Sequence, residues 1–300
     1  MNKLRHEFEE NGFVIVDILA ENEILEFRKV MDTMLSESKK TDDTKSHKSS
    51  LQHLGDEISD FGSENRQYYF HLLTKSGTEQ IHHAFLNEKV MHVVEQLIGQ
   101  NLIINNASIL ASNPGVSYNL GWHRDIIQIP ENEICDRLFS KERFHNSVQI
   151  NLPLVQEDSL EVVPRSHNRP NTPEENIAFR GSKHYAPTDA QMPGAKKVSL
   201  KAGQAVFYNN NIIHRGFCED SSLPRRTLHM GYHSANTPPT WHFYLLNAEL
   251  LTPTYLDSLS PSMRKMMRNY LKCREQFPEM KETWKENFPA DLVAPLDYQA

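Results

Sequence analysis

The residues of this chain whose types and spacing could do chemistry are His123 and Asp125, one residue apart, and His214, some ninety residues later. On an extended strand residues i and i+2 point to the same face, so this imidazole and carboxylate can reach one ion together. His214 offers a third ligand. Two histidines and one carboxylate on one face of a metal leave coordination positions open, which suits non-haem Fe(II) that activates oxygen. A His-x-Asp alone is common, and the distant His214 and the pair Arg225-Arg226 give this one its weight. His145, His167, His184, His229, His233 and His242 lack the same-face carboxylate spacing, and His167 is read as tightening a turn. His82 and His83 are adjacent and point apart.

These residues need a scaffold, and the pattern from Leu102 onward supplies short strands. They are expected over 102–111, along 117–125 into the metal motif, and over 147–154, 160–163, 196–200, 204–208, 212–214 and 226–233. Gly, Pro and Asn punctuate them, and no helical period separates them. The fold class expected is mainly β with flanking helices, an all-β barrel or sandwich at its centre. Before it, Phe13–Val16 reads as a strand, and 3–10, 21–37 and 79–99 as helices, the last ending at Gly99, a suitable C-cap. After 240 the chain turns helical again, with Ser260-Pro261 as a start signal and Met263, Met266, Met267, Tyr270 and Leu271 at helical spacing. We expect one catalytic domain over 1–300: helical support to about 100, a β core over 101–235, and a helical extension from 236. Residues 36–50 hold no apolar side chain and read as a mobile loop. The segments 126–145 and 168–195 are long for a β domain and read as lids that line a substrate pocket.

Composition narrows the partners. A net charge of −7 argues against a nucleic-acid-binding surface, which needs a basic stripe. No apolar run approaches membrane-spanning length, so no membrane partner is expected. The N-terminus lacks the apolar core of a signal peptide. Cys135, Cys218 and Cys273 form no disulfide framework, which makes a reducing, cytoplasmic setting the default.

Four blocks together resemble one family. Phe8-Glu-Glu-Asn-Gly12-Phe-Val-Ile-Val-Asp17 is similar to the N-terminal region of the phytanoyl-CoA dioxygenase family, and Trp122-His123-Arg124-Asp125 to its metal motif. Leu160-Glu-Val-Val-Pro164-Arg-Ser166-His167 resembles its strand ending in Pro-x-Ser-His. Ala202-Gly203-Gln-Ala-Val-Phe-Tyr208, then His214, then Arg225, follows its last block in order and spacing. The resemblance implies a double-stranded β-helix (jelly-roll, cupin-like) barrel, Fe(II) on His123, Asp125 and His214, 2-oxoglutarate and O2 as co-substrates, ascorbate as a candidate stimulant, and a small-molecule substrate. Its activity would be hydroxylation with release of succinate and CO2. Related halogenating enzymes replace the metal carboxylate with a small residue, so Asp125 points to oxygen transfer. The chain departs from the family with Asp158-Ser159 where Asn-Gly is frequent, Arg165 where Gly is usual, and Asn113 before Pro114 where many relatives place Lys.

The remote carboxylate of 2-oxoglutarate needs a cation in a dry pocket, and arginine's planar fork fits it better than lysine. Arg225, eleven residues past His214 as in relatives, is favoured, with Thr227 on its face; Arg226 is the alternative. Gln149 and Asn151 alternate on one strand and are candidate polar contacts to the co-substrate. Trp122 either walls the pocket or packs in the core. Two competing readings remain: a cupin-type metal oxygenase that needs no 2-oxoglutarate, for which Arg225 has no task, and a non-catalytic binding protein of the same fold.

Overall fold

The computed structural model describes residues 3–38, 66–69, 79–119, 121–125, 146–179, 190–218, 221–237 and 252–276. The expected loop 126–145 and most of 36–50 lie outside them. In chain order the elements are α1 (Lys3–Asn11), β1 (Phe13–Asp17), α2 (Glu21–Ser38), β2 (Arg66–Tyr69), α3 (Glu79–Phe85), α4 (Glu88–Ile98), β3 (Leu102–Ser112), β4 (Tyr118–Asn119), β5 (Ser147–Pro153), β6 (Glu157–Val162), α5 (Pro173–Ala178), β7 (Lys196–Leu200), β8 (Gln204–Tyr208), β9 (His214–Cys218), β10 (Arg225–Ser234), α6 (Pro253–Ser258) and α7 (Pro261–Gln276).

Two sheets form the β core. The larger has the order β1-β8-β5-β10-β3-β2 and the smaller β4-β9-β6-β7, with every strand pair antiparallel. The alternation along the larger sheet explains both its faces. Ala107, Ile109 and Ala111 on β3, Val148, Ile150 and Leu152 on β5, and Leu228, Met230 and Tyr232 on β10 join one apolar cluster. Phe8, Met31, Val94, Met267 and Tyr270 from the helices complete it, so burial of this face holds the helices to the sheet. The opposite face carries Asn106, Ser108, Gln149, Asn151, Thr227 and His229, all buried and polar. Burying polar groups is costly unless they are hydrogen-bonded, so this face marks the interior where polar groups work. A second apolar cluster of Leu160, Val162, Val198, Leu200, Val206, Tyr208 and Ile212 ties the two sheets together.

Several boundaries differ from expectation. The helix expected over 79–99 is two helices, because the Asn87 side chain accepts from the backbone N–H groups of Lys89 and Val90 and starts α4 anew. The strand expected over 212–214 begins at His214 instead and runs on to Cys218, since 209–213 form a turn in which Ile212 N bonds Asn209 O. The segment 168–195 contains α5, which opens with a capping box between Thr172 and Glu175. The expected strand through 117–125 shrinks to Tyr118–Asn119. Among the described residues no helix is long and apolar enough to cross a membrane.

Candidate metal centre

His123 and Asp125 do not lie on a regular strand. His123 makes an isolated antiparallel bridge with His214, each residue's N–H donating to the other's carbonyl at 3.0 Å. Asp125 is held beyond it by its N–H on Asn210 O at 2.9 Å. The same-face placement inferred from the i, i+2 spacing thus comes from backbone bonds to the 210–214 segment rather than from strand continuity. The three side chains are buried, and a ligand atom from each lies within 4.8 Å of the others. Among the described residues this is the one cluster of histidine, cysteine or carboxylate groups placed to hold a metal ion.

Both imidazoles are oriented by the same local device. His123 Nδ1 lies 2.7 Å from Gly121 O, and His214 Nδ1 lies 2.9 Å from Ile212 O, in each case the carbonyl two residues earlier. A carbonyl only accepts, so each Nδ1 carries the proton and each Nε2 is left as a neutral ligand nitrogen. The Nε2 atoms face Asp125, at 3.5 Å for His123 and 3.0 Å for His214. For His214, burial draws the pKa down, but the Asp125 carboxylate and the Ile212 carbonyl outweigh it and leave it above the ordinary histidine value. Without a metal this favours a second proton on Nε2, the position a bound metal ion would take instead.

Asp125 is fixed in turn. Gln149 Nε2 donates to its Oδ2, and the Tyr208 hydroxyl donates to Gln149 Oε1 at 3.3 Å. Gln149, expected as a co-substrate contact, is therefore first a holder of the metal carboxylate. Asn151 is farther along the strand, where its Oδ1 meets His229 Nδ1 at 2.7 Å. Trp122 packs with Val163, Ala178, Met192 and Ile213, under the Arg215 guanidinium 4.6 Å from its ring centroid, so it belongs to the core.

Arg124, between the two ligands, was not singled out by sequence. Its guanidinium donates to the carbonyls of Ser166 (2.7 Å), Asn211 and Arg169 (3.2 Å) and to Asn171 Oδ1. Burial pushes its pKa down to about 9, so it stays charged at neutral pH. It ties the turn before His214 to the segment after β6. The Pro-x-Ser-His motif acts on the same turn: Ser166 Oγ donates to Val163 O and accepts from Ile213 N. His167 lies outside the metal cluster, and its ring, read from sequence as tightening a turn, reaches instead to α1, with Nε2 3.1 Å from Glu9 O. Arg165 is the position where relatives usually carry Gly, and among the described residues it is the one non-glycine with positive φ, 65°.

Adjacent residues of β10 alternate in direction. Arg226 turns outward, to Asp32 of α2 at 2.5 Å and to Ser112 O at 3.0 Å. Arg225 and Thr227 turn into the space between the sheets. There both meet the Glu157 carboxylate, Arg225 Nη2 at 2.7 Å from Oε1 and the Thr227 hydroxyl donating to Oε2. Sequence reasoning missed Glu157. Alternation counted back from Leu160 aims Asp158 inward, but β6 has an extra residue between Glu157 and Leu160 relative to its partner β7. That bulge sets Glu157, not Asp158, opposite the buried Leu200.

Comparisons with known proteins bear on the family and the fold. The sequence profile of the phytanoyl-CoA dioxygenase family matches residues 8–227. HygX from Streptomyces hygroscopicus, solved with nickel and 2-oxoglutarate bound, shares 14% identity over 78% of this chain and 87% of its own, with a TM-score of 0.54. Another structure of HygX holds hygromycin B as well. The epimerase SnoN, in complex with Fe3+, alpha ketoglutarate and nogalamycin RO, shares 17% identity over 78% of this chain and 83% of its own, at a TM-score of 0.53. AviO1 from Streptomyces viridochromogenes Tue57 shares 15% over 79% and 96%, at 0.52. At these identities the likeness is one of fold. No curated protein matches the chain.

Proposed function

The chain belongs to the phytanoyl-CoA dioxygenase family of Fe(II)/2-oxoglutarate-dependent oxygenases, and on that premise we propose that it hydroxylates a small or medium organic molecule with release of succinate and CO2. The observation that carries this reading is the cluster of His123, Asp125 and His214, buried, converging within 4.8 Å, with both Nδ1 atoms committed to backbone carbonyls. That donor set fits iron: two neutral nitrogens and one carboxylate, with the remaining positions left for co-substrates. When bound, iron couples oxidative decarboxylation of 2-oxoglutarate to oxidation of the substrate.

In this reading the chain's own residues position and exclude. Gln149 keeps the Asp125 carboxylate turned toward the histidines, and Tyr208 keeps Gln149 in place. Arg124, Ser166 and the bridge between His123 and His214 hold the segments that carry the ligands in register. Arg225 and Thr227 supply the seat for the distal carboxylate of 2-oxoglutarate. Arg226, which turns outward to Asp32 of α2, is not that anchor. Asn151 and His229 line the polar interior between these two regions. Retention of Asp125 favours oxygen transfer over halogenation.

HygX with hygromycin B and SnoN with a nogalamycin show that this fold admits bulky natural products, and we extend that substrate class to this chain. A panel of such compounds, assayed for stimulation of 2-oxoglutarate turnover with hydroxylated product identified by mass, tests the proposal. A compound that gains one oxygen as succinate appears supports it. Succinate formation coupled only to a product without added oxygen would refute hydroxylation.

A further inference from the structure

We propose that Glu157 is an internal competitor for the co-substrate, occupying the carboxylate seat of Arg225 and Thr227 so that 2-oxoglutarate must displace it. The inference rests on the co-substrate reading above. Its basis is that the seat is already complete. The Glu157 carboxylate takes the Arg225 guanidinium on Oε1, the Ser159 hydroxyl on the same oxygen, and the Thr227 hydroxyl on Oε2. One arginine and two hydroxyls are the donor set that a dicarboxylate's far end would require. The ion pair is shielded from water, the Arg225 and Glu157 side chains being 10% and 8% exposed.

A second carboxylate cannot join this pair without cost. With Glu157 in place the seat holds one cation and one anion, and an incoming carboxylate meets like charge at short range. Exchange is the consistent alternative, and the local backbone allows it. Glu157 is the first residue of β6, separated from the regular ladder by the bulge, and Gln156 before it is exposed. Glu157 can therefore withdraw toward solvent while the rest of β6 keeps its pairing with β7 and β9. The neighbouring Asp158 already faces outward, to Lys197 at 3.6 Å.

The apparent affinity of a ligand falls by the fraction of protein whose site is open. If the closed arrangement outweighs the open one by about ten to one, 2-oxoglutarate binds roughly tenfold more weakly than to an emptied seat. Removing the charge of Glu157 should recover that factor.

The test is calorimetric binding to the full chain. 2-Oxoglutarate is titrated into protein carrying Ni(II), which prevents turnover, and glutarate into metal-free protein. Glu157→Gln, which keeps the side chain's shape, should bind both about tenfold more tightly than wild type. Arg225→Ala should bind both more weakly. As a second variant, Glu157→Ala leaves room for a carboxylate, and glutarate should raise its Tm by more than that of wild type. If Arg225→Ala weakens binding but Glu157→Gln does not tighten it and glutarate gives Glu157→Ala no extra protection, Glu157 is a fixed partner of Arg225 and the competitor proposal is overturned, while the co-substrate assignment stands. If Arg225→Ala binds like wild type, the seat lies elsewhere, and the competitor proposal falls with the Arg225 assignment.

Discussion

Replacing Gln149 by Leu removes one amide from the interior and tests how the metal carboxylate is held. Leucine nearly conserves volume, so the substitution acts mainly on hydrogen bonds. Gln149 is 1% exposed, and its amide donates to the charged Oδ2 of Asp125. A hydrogen bond to a charged group contributes about 1.5–3 kcal/mol, and the loss of the Tyr208 bond to Oε1 adds about 1 kcal/mol. The metal-free protein should therefore lose about 2.5–4 kcal/mol of stability. Groups that orient a metal ligand typically contribute 10- to 100-fold in metal affinity, about 1.4–2.7 kcal/mol. The assay is Fe(II) competition against a chelator without oxygen, paired with denaturant unfolding. A folded Gln149→Leu protein that holds Fe(II) as tightly as wild type would refute the claim that Gln149 sets the carboxylate.

Three further outcomes follow from the same geometry. Arg226→Ala should cost about 1 kcal/mol of stability through its ion pair with the half-exposed Asp32 and leave 2-oxoglutarate binding unchanged; a large rise in the 2-oxoglutarate requirement would mean the anchor faces the other way. For Glu175, burial alone would raise the pKa, but the Arg169 fork, the Thr172 N–H and the positive charges of Arg169 and Arg124 bring it below the ordinary value. Its stabilising effect is thus present above the unfolded glutamate pKa of about 4.3 and is lost as pH falls through the lower folded value. Wild type should exceed Glu175→Gln in urea stability at neutral pH, with the gap closing in acid; a constant gap would contradict this. Gly12→Ala should destabilise by about 2–4 kcal/mol, because φ is +82° and a Cβ would lie 2.6 Å from the His167 ring. Unchanged unfolding would show that α1 and His167 are not packed as described.

The ligands were legible from residue type and spacing, although backbone bonds to the 210–214 segment and not strand alternation place them, whereas the β10 register was legible from alternation itself. Arg225 and Arg226 differ by one position, and one position on a strand reverses the face. The period of two likewise distinguishes the apolar outer row of Val148, Ile150 and Leu152 from Gln149 and Asn151. Features set by contacts between distant segments were not legible. The break at Asn87 depends on a side chain choosing the backbone over helix continuation, and Asn87 also donates to Glu23 of α2 at 3.2 Å. Glu157 faces inward only because a bulge shifts the alternation, and no local signal in Glu157-Asp158-Ser159 announces a bulge. The role of Arg124 needs the carbonyls of 166, 169 and 211 brought together by the fold. The two carbonyls that orient the histidines are close in sequence, yet any residue type at 121 and 212 would provide them.

The central claim is that His123, Asp125 and His214 form an iron site that drives 2-oxoglutarate turnover. It is tested most directly by measuring Fe(II) stoichiometry and Fe(II)-dependent succinate formation together, in wild type and in His123→Ala and His214→Ala. The account predicts one iron per chain and succinate formation in wild type, with loss of both tight iron binding and succinate in each variant. Full iron occupancy and succinate formation in either variant, or a wild-type protein that binds no iron, would contradict it.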